Sequence, residues 1–477
     1  MAPDQDLSGS RKLDLYWYQN LCDHLTHSMG SDNNSLKREL GLIDSISIVM
    51  GIMIGSGIFL MAGSVARQLE SIAAVVCVWV VGGILSLCGA LSLSELGAMF
   101  PEAGGLYVYL GEIYGPALAF MYGWSSLTLI HAGSIATMAV AVAFYTGPLL
   151  GLSAGGQKLE AALCVGFFTV VNCLGVALGK TFQNVLAFLK IAGLSTMALL
   201  LYAHGNVANL TSHLCPNSGA GQWSGFMIAL IAVLWAFDGW HVVSFAAGEI
   251  KDAARTLPRA LLIGTLATTA IYLVSNIAYY AVLSPNAIRA TDRVAATAVA
   301  HEFGPGAGLA ISLLITISIL GAINGVVFGA PRVNWAMAHD GIFFSSFAEI
   351  SPRFKTPLIA IAAQGLLAML FTQAGTFQQL FTSYIFTAWI FYGLCALGVI
   401  LLRVRRPEQA RPYRCPLYPV TPAVFVFATM LIVISTLRAS FWQAILGIAL
   451  VLTGLPLYFL FKRFRRGGEY SSSVAGS

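Results

Sequence analysis

Apolar residues run through this chain in long stretches, and polar clusters fall between the stretches rather than alternating within them. A helix needs roughly 20 such residues to cross a bilayer. Twelve segments approach or exceed that length: 42–66, 72–98, 115–147, 159–178, 182–203, 224–249, 258–283, 307–338, 357–373, 376–402, 419–438 and 441–463. Two of them hold residues that a lipid-facing helix excludes. Gly55-Ser56-Gly57 interrupts the first, and Asp238-Gly239 interrupts the sixth. Glycine costs about 1 kcal/mol of helix propensity relative to alanine, and broken backbone at membrane depth survives only where protein or a water-filled cavity covers it.

Each break exposes two kinds of backbone group. The N–H groups that open a half-helix attract anions, and the carbonyls that end the preceding half attract cations. One break can therefore hold both ends of a zwitterion. The two interrupted segments are the first members of two five-segment units, about 42–203 and 224–402, whose orientations are reversed by the odd number of crossings. That is the layout of an inverted repeat, with 419–463 supplying helices 11 and 12. The alternative is that both breaks are small-residue packing contacts between helices.

Composition fits a membrane class: 57% of residues are hydrophobic and 10% charged, with mean hydropathy +0.77. If the N-terminus is cytoplasmic and the segments alternate, the lysines and arginines fall inside except Arg67, Lys158, Arg289, Arg293, Arg438 and the membrane-embedded Lys190. This bias predicts cytoplasmic termini. The net charge of +5 is then the charge of the inner face and calls for no nucleic-acid partner. Residues 1–36 lack a signal-peptide core. Leu13, Leu15, Trp17, Tyr18, Leu21 and Leu25 give either a short amphipathic helix on the inner leaflet or a partly disordered tail, and 464–477 reads as a disordered cytoplasmic tail. The eight cysteines show no metal-ligand or paired spacing. No metal, cofactor or catalytic residue is expected.

Three runs bear a family signature: Gly51-Ile52-Met53-Ile54-Gly55-Ser56-Gly57-Ile58-Phe59; Pro101-Glu102-Ala103-Gly104-Gly105-Leu106-Tyr107 with Tyr114-Gly115-Pro116; and Phe237-Asp238-Gly239-Trp240. Asn172, Gly175, Lys190, Asn276, Ala278-Tyr279, Gly321, Asn324-Gly325, Arg406-Pro407 and Arg411-Pro412-Tyr413 follow in order. Over residues 37–463 the set resembles amino acid permeases of the amino acid–polyamine–organocation superfamily, nearest the L-type transporters. The resemblance implies an all-α integral membrane protein of twelve transmembrane helices, a LeuT-like 5+5 inverted repeat with discontinuous helices 1 and 6. It implies amino acid substrates, a cell (plasma or inner) membrane location and no enzymatic activity. Animal light chains of this group carry a cysteine between helices 3 and 4 that is disulfide-bonded to a heavy-chain glycoprotein. Residues 147–158 hold none, which argues against such a partner.

By the resemblance and helix-end physics together, the substrate α-carboxylate should meet N–H groups around Gly55, Ser56, Gly57 and Ile58. The α-ammonium should meet carbonyls of Met53, Ile54, Trp235, Ala236 and Asp238, in the stretch that includes Phe237 and Gly239. Trp235 matches an aromatic that closes over substrate in relatives, or is a structural tryptophan. Tyr384, Phe386 and Trp389 either line the far end of the pocket or are ordinary core or lipid-facing aromatics. Asp238 either accepts a cationic side chain or caps broken backbone. His131 and His241 are either pocket groups or hydrogen-bonded packing. Lys190 occupies the place where sodium-coupled relatives bind sodium, with Ser318 as a candidate acceptor; the alternative is a lysine snorkelling to an interface.

These features favour a sodium-independent exchanger (antiporter) of neutral L-amino acids by alternating access, with cationic ones admitted if Asp238 accepts a cationic side chain. A proton-coupled symporter is the nearest competitor, and a non-transporting amino acid sensor is the alternative from another class. An enzyme would need a nucleophile with its base or a metal cluster, and an ATP-driven pump a phosphate-binding GxxxxGK[ST] loop; the sequence shows neither.

Overall fold

The interrupted first segment folds as two helices, α1 (Leu42–Met53) and α2 (Gly57–Gln68), bent by 40°. This is seen in a computed structural model that describes residues 36–206, 209–210, 222–374 and 377–474. Helix α1 ends as Ile54 leaves helical geometry at φ −76°, ψ 70°. The N-terminal stretch read as an amphipathic helix or a partly disordered tail, with Cys22, lies outside the described residues, as does Cys215.

The rest of the chain continues in helices. Helix α3 (Ile72–Met99) is followed by the short α4 (Leu106–Tyr114). Helices α5 (Pro116–Ser125) and α6 (His131–Leu150) join through a π-helical turn, Ser126–Ile130, into one span. Then come α7 (Ala154–Cys173), α8 (Val176–His204) and α9 (Gln222–Ala236). After the second break a 3-10 segment, Trp240–Glu249, leads to α10 (Ala253–Val282). Two short helices, α11 (Pro285–Arg289) and α12 (Val294–Phe303), precede α13 (Pro305–Gly329) and α14 (Pro331–His339), which form one long apolar rod. The chain closes with α15 (Leu358–Ala374), α16 (Phe377–Arg405), α17 (Val420–Ala439) and α18 (Phe441–Val474).

Among the described residues nine spans are long and apolar enough to cross a membrane, and the bent pair α1–α2 makes a tenth. The two remaining predicted segments form helices of a different character. Helix α15 has 17 residues, and α7 carries Lys158 and Glu160 near its start. Large apolar side chains such as Leu163, Phe188 and Phe427 stand exposed on the outer faces of α7, α8 and α17. That is the arrangement lipid contact requires, because hydrocarbon offers no reason to bury them.

The observed boundaries depart from the sequence reading at two places. The turn between the fourth and fifth segments was expected near residues 179–181 and lies at Leu174–Gly175, where Gly175 adopts φ +144°. Lys180 thus sits inside α8, with its ammonium 3.3 Å from Asp44. At the C-terminus α18 runs on to Val474 through residues expected to be disordered. A helix already nucleated gains one hydrogen bond for each residue it adds, so propagation through Lys462 to Arg466 is favoured.

Helix α1 packs against α8, α10 and α13, while α9 packs against α2 and α3. The two interrupted segments are therefore the centre of the bundle. At one end they are joined by backbone alone: the N–H groups of Glu39 and Leu40 both donate to the Glu249 carbonyl at 2.9 Å, and Lys251 N–H donates to the Leu40 carbonyl at 2.9 Å. Below this join the Glu249 carboxylate is held by Arg332 at 2.7 Å, both side chains being buried.

Candidate functional site

The two breaks touch each other. Gly57, the first residue of α2, lies so close to Ala236, the last residue of α9, that a Cβ at Gly57 would collide with it. Gly239 completes the second break at φ +109°, a conformation that suits glycine, and is pressed against Ile52. Tyr272 of α10 bridges the breaks: its hydroxyl lies 2.5 Å from the Met53 carbonyl and 2.9 Å from the Ala236 carbonyl, with its one proton shared between them. The first N–H groups of α2 have no intrahelical partner.

A void of about 40 Å³ lies where the breaks meet. Its lining takes Met53, Gly55, Ser56 and Gly57 from the first break and Trp235, Ala236, Asp238 and Gly239 from the second. His131, His241 and Tyr384 also reach it. Ile54, Ile58, Phe237, Phe386 and Trp389 are not part of its lining. Phe237 packs on Trp79 and Tyr272, and Trp389 stacks on Phe425 with ring centroids 5.5 Å apart. The Trp235 indole N–H donates to the Tyr384 hydroxyl.

Away from the void, Lys190 is fully buried. Its ammonium donates to three carbonyls: Gly51 at 2.7 Å, Ile54 at 2.8 Å and Ser318 at 2.6 Å. The Ser318 hydroxyl also donates to the Ile54 carbonyl, at 2.8 Å. Ser318 therefore serves the lysine through its backbone, and its side chain serves the break. The Ile54 carbonyl, expected to meet a substrate ammonium, has both lone pairs engaged by Lys190 and Ser318. Its direction is set by the α1 C-terminus, which turns Ile54 toward α8 and α13. Snorkelling is not what Lys190 does, since all three of its protons are spent at the helix end.

On the void side, the π-helical turn brings Ser126 and His131, five residues apart, onto one face. The Ser126 hydroxyl lies 2.7 Å from His131 Nδ1. His241 Nε2 lies 3.1 Å from the Tyr392 hydroxyl, and its Nδ1 lies 3.8 Å from Asp238 Oδ1. The His131 and His241 rings face each other with centroids 6.1 Å apart.

Sequence reasoning missed Tyr272, Tyr392, Ser126 and Ser134. For Tyr392 a signal existed. On a helix of 3.6 residues per turn it lies about a quarter turn from Tyr384, whereas Phe386 and Trp389 lie more than about a third of a turn away. Tyr272 and the serines carried none. Of the signature polar residues, Asn172 donates to Asn324 at 2.9 Å and Asn324 donates to Gln183 at 3.0 Å, pinning α7, α8 and α13 together.

The family model described as "Amino acid permease" matches residues 40–469. The b(0,+)-type amino acid transporter 1 of Mus musculus is 32% identical over 455 residues, covering 93% of this chain and 91% of the relative. The serine/threonine exchanger SteT of Bacillus subtilis (strain 168) is 32% identical over 438 residues, covering 91% of this chain and 99% of the relative. The human cystine/glutamate transporter is 29% identical over 442 residues, covering 91% and 87%.

Proposed function

The chain belongs to the amino acid permease family, a family of multi-pass membrane transporters rather than enzymes, and from that premise we propose that it is a sodium-independent amino acid exchanger working by alternating access. The observation that carries the proposal is the meeting of two broken helices at one void, with the N–H groups of α2 facing the end of α9. The α-carboxylate binds at Ser56, Gly57 and Ile58 N–H, where Gly57 permits close approach. The α-ammonium binds toward the carbonyls of Met53, Trp235, Ala236 and Asp238, in exchange for the hydroxyl of Tyr272. These are backbone contacts common to every amino acid, so selectivity rests on the side chains around them.

Lys190 supports sodium independence. Its ammonium sits at the carbonyl end of α1, a place suited to a cation, and already joins α1, α8 and α13. In this reading the twelve helical segments all cross the bilayer as a 5+5 inverted repeat plus two helices, both termini are cytoplasmic, and the site is the cell membrane. The protein works without a heavy-chain glycoprotein, as the cysteine-free stretch 147–158 suggests. Substrates are neutral L-amino acids, with cationic ones admitted where a side-chain ammonium reaches Asp238. Relatives named as exchangers, such as SteT, favour exchange.

Proton-coupled symport is the second reading, favoured by the buried Asp238–His241 pair. Reconstitution in liposomes separates the two. Exchange predicts uptake that requires internal amino acid and is unchanged when choline replaces sodium. Concentrative uptake into empty liposomes under an imposed pH gradient would establish symport instead, and sodium-dependent uptake would defeat the role given to Lys190.

A further inference from the structure

A second cavity shares no lining residue with the substrate void. It is a groove of about 470 Å³ where the end of α6 turns into α7, walled by Leu150 and Leu152 at the turn, Leu159, Leu163 and Phe167 on α7, and Leu320 on α13. Leu150, Leu159, Leu163 and Phe167 all stand exposed, so in a bilayer the groove opens to lipid. One residue of its wall is out of place. Glu160 stands at the head of the face that carries Leu163 and Phe167, at helical spacings of three and seven.

The protein satisfies only half of this carboxyl group. Glu160 Oε1 is bonded to the Thr146 hydroxyl of α6, while Oε2 is buried with no hydrogen-bond partner among the described residues. Lys158 does not serve it. Two residues apart on a helix face different ways, and the Lys158 ammonium donates to the Gln373 carbonyl at 2.9 Å. Whether the carboxyl is ionised or shares a proton with Thr146 through Oε1, Oε2 is an acceptor in want of a donor. Buried polar atoms are ordinarily paired. The Glu160 side chain is only partly buried, so a turn about its own bonds presents the carboxylate to the groove. It lies six residues into α7, about 9 Å along the helix from its first residue, and Phe167 lies about 10 Å deeper.

We propose that this groove binds a phospholipid with an ethanolamine headgroup, whose ammonium donates to Glu160 and whose acyl chain lies along Leu163, Phe167 and Leu320. The apolar row calls for a hydrocarbon chain, and the acceptor at its head calls for a donor joined to that chain. An ammonium meets a carboxylate with charge and hydrogen bond together. Choline has the same charge but no N–H to give, and a glycerol headgroup leaves the lipid with a net negative charge facing a carboxylate. The proposal stands on the groove and is independent of which amino acid is carried or how transport is coupled.

The test is native mass spectrometry of the purified, delipidated full chain titrated with phosphatidylethanolamine, its N,N-dimethyl form and phosphatidylcholine, all with the same acyl chains. Phosphatidylethanolamine should bind at least about tenfold more tightly than phosphatidylcholine. The dimethyl form keeps the charge and one N–H, and should side with ethanolamine. In Glu160→Leu the preference should fall toward one, and in Glu160→Gln, which keeps an acceptor, part of it should return. Leu163→Trp should fill the groove and weaken both lipids alike, and thermal shift reports whether each variant is folded. Equal binding of the ethanolamine and choline lipids by the wild type would overturn the proposal, as would an unchanged preference in folded Glu160→Leu or a dimethyl form that sides with choline. A dimer that binds no lipid would give the face to a second copy of the chain and overturn it as well.

Discussion

Two polar regions flank the first helix break, and they are built in opposite ways. Around Lys190 supply equals demand, with three ammonium protons meeting three carbonyls. Beside the void, His131, His241 and Asp238 each keep a buried atom without a partner. An unpaired buried polar group costs about 1–3 kcal/mol. On the proposed reading the matched region is a support and the unmatched one faces the substrate void. Both would look alike if judged only by the presence of a charged residue inside the membrane.

The contrast is tested most severely at its matched end. Lys190→Ala should lose most transport and lower the melting temperature in detergent, because the carbonyls of Gly51, Ile54 and Ser318 lose a shared donor at about 1–3 kcal/mol for each one left unpaired. Lys190→Arg should not restore activity, since a planar guanidinium cannot replace a compact ammonium among three converging carbonyls. Full uptake by folded Lys190→Ala would remove the distinction between the two regions.

At the meeting of the breaks, Gly57→Val should reduce uptake by more than about tenfold, because the side chain would have to displace Ala236. Surface abundance should change less, since helix insertion depends on apolar length rather than on this contact. Normal uptake by Gly57→Val would show that substrate does not approach the start of α2. The smallest effect belongs to Tyr272→Phe, which removes one hydroxyl shared by two carbonyls. A loss of about 1 kcal/mol in stability is expected, with a several-fold change in substrate affinity read from a binding isotherm. An unchanged affinity would place Tyr272 with the support alone.

The parts of this site that were legible in sequence are those that offend against the bilayer. Gly55-Ser56-Gly57, Asp238-Gly239 and Lys190 are costly at membrane depth, and the structure places all of them at the centre of the bundle. Tyr272 and Tyr392 offend against nothing, because an aromatic ring suits an apolar helix and its hydroxyl is a minor perturbation. Which carbonyl turns toward which neighbour is likewise invisible in sequence. The reading therefore gave Ile54 to the substrate, whereas the geometry engages it with Lys190 and Ser318. Closeness to Tyr384 in sequence points to Phe386 and Trp389, and helical phase removes both from the lining.

The join between residues 39–40 and 249–251 is made of main-chain atoms on both sides. Almost any residue can stand at Glu39 or Lys251 and still present the same N–H, so amino acid replacement is a poor tool for loosening it. Proline is the exception, because it removes the donor outright. A population of randomly mutated chains should consequently contain few variants with this fastening undone, and those few should be rich in proline at positions 39, 40 and 251. The two halves of the bundle are thus tied by a fastening that ordinary sequence drift leaves untouched.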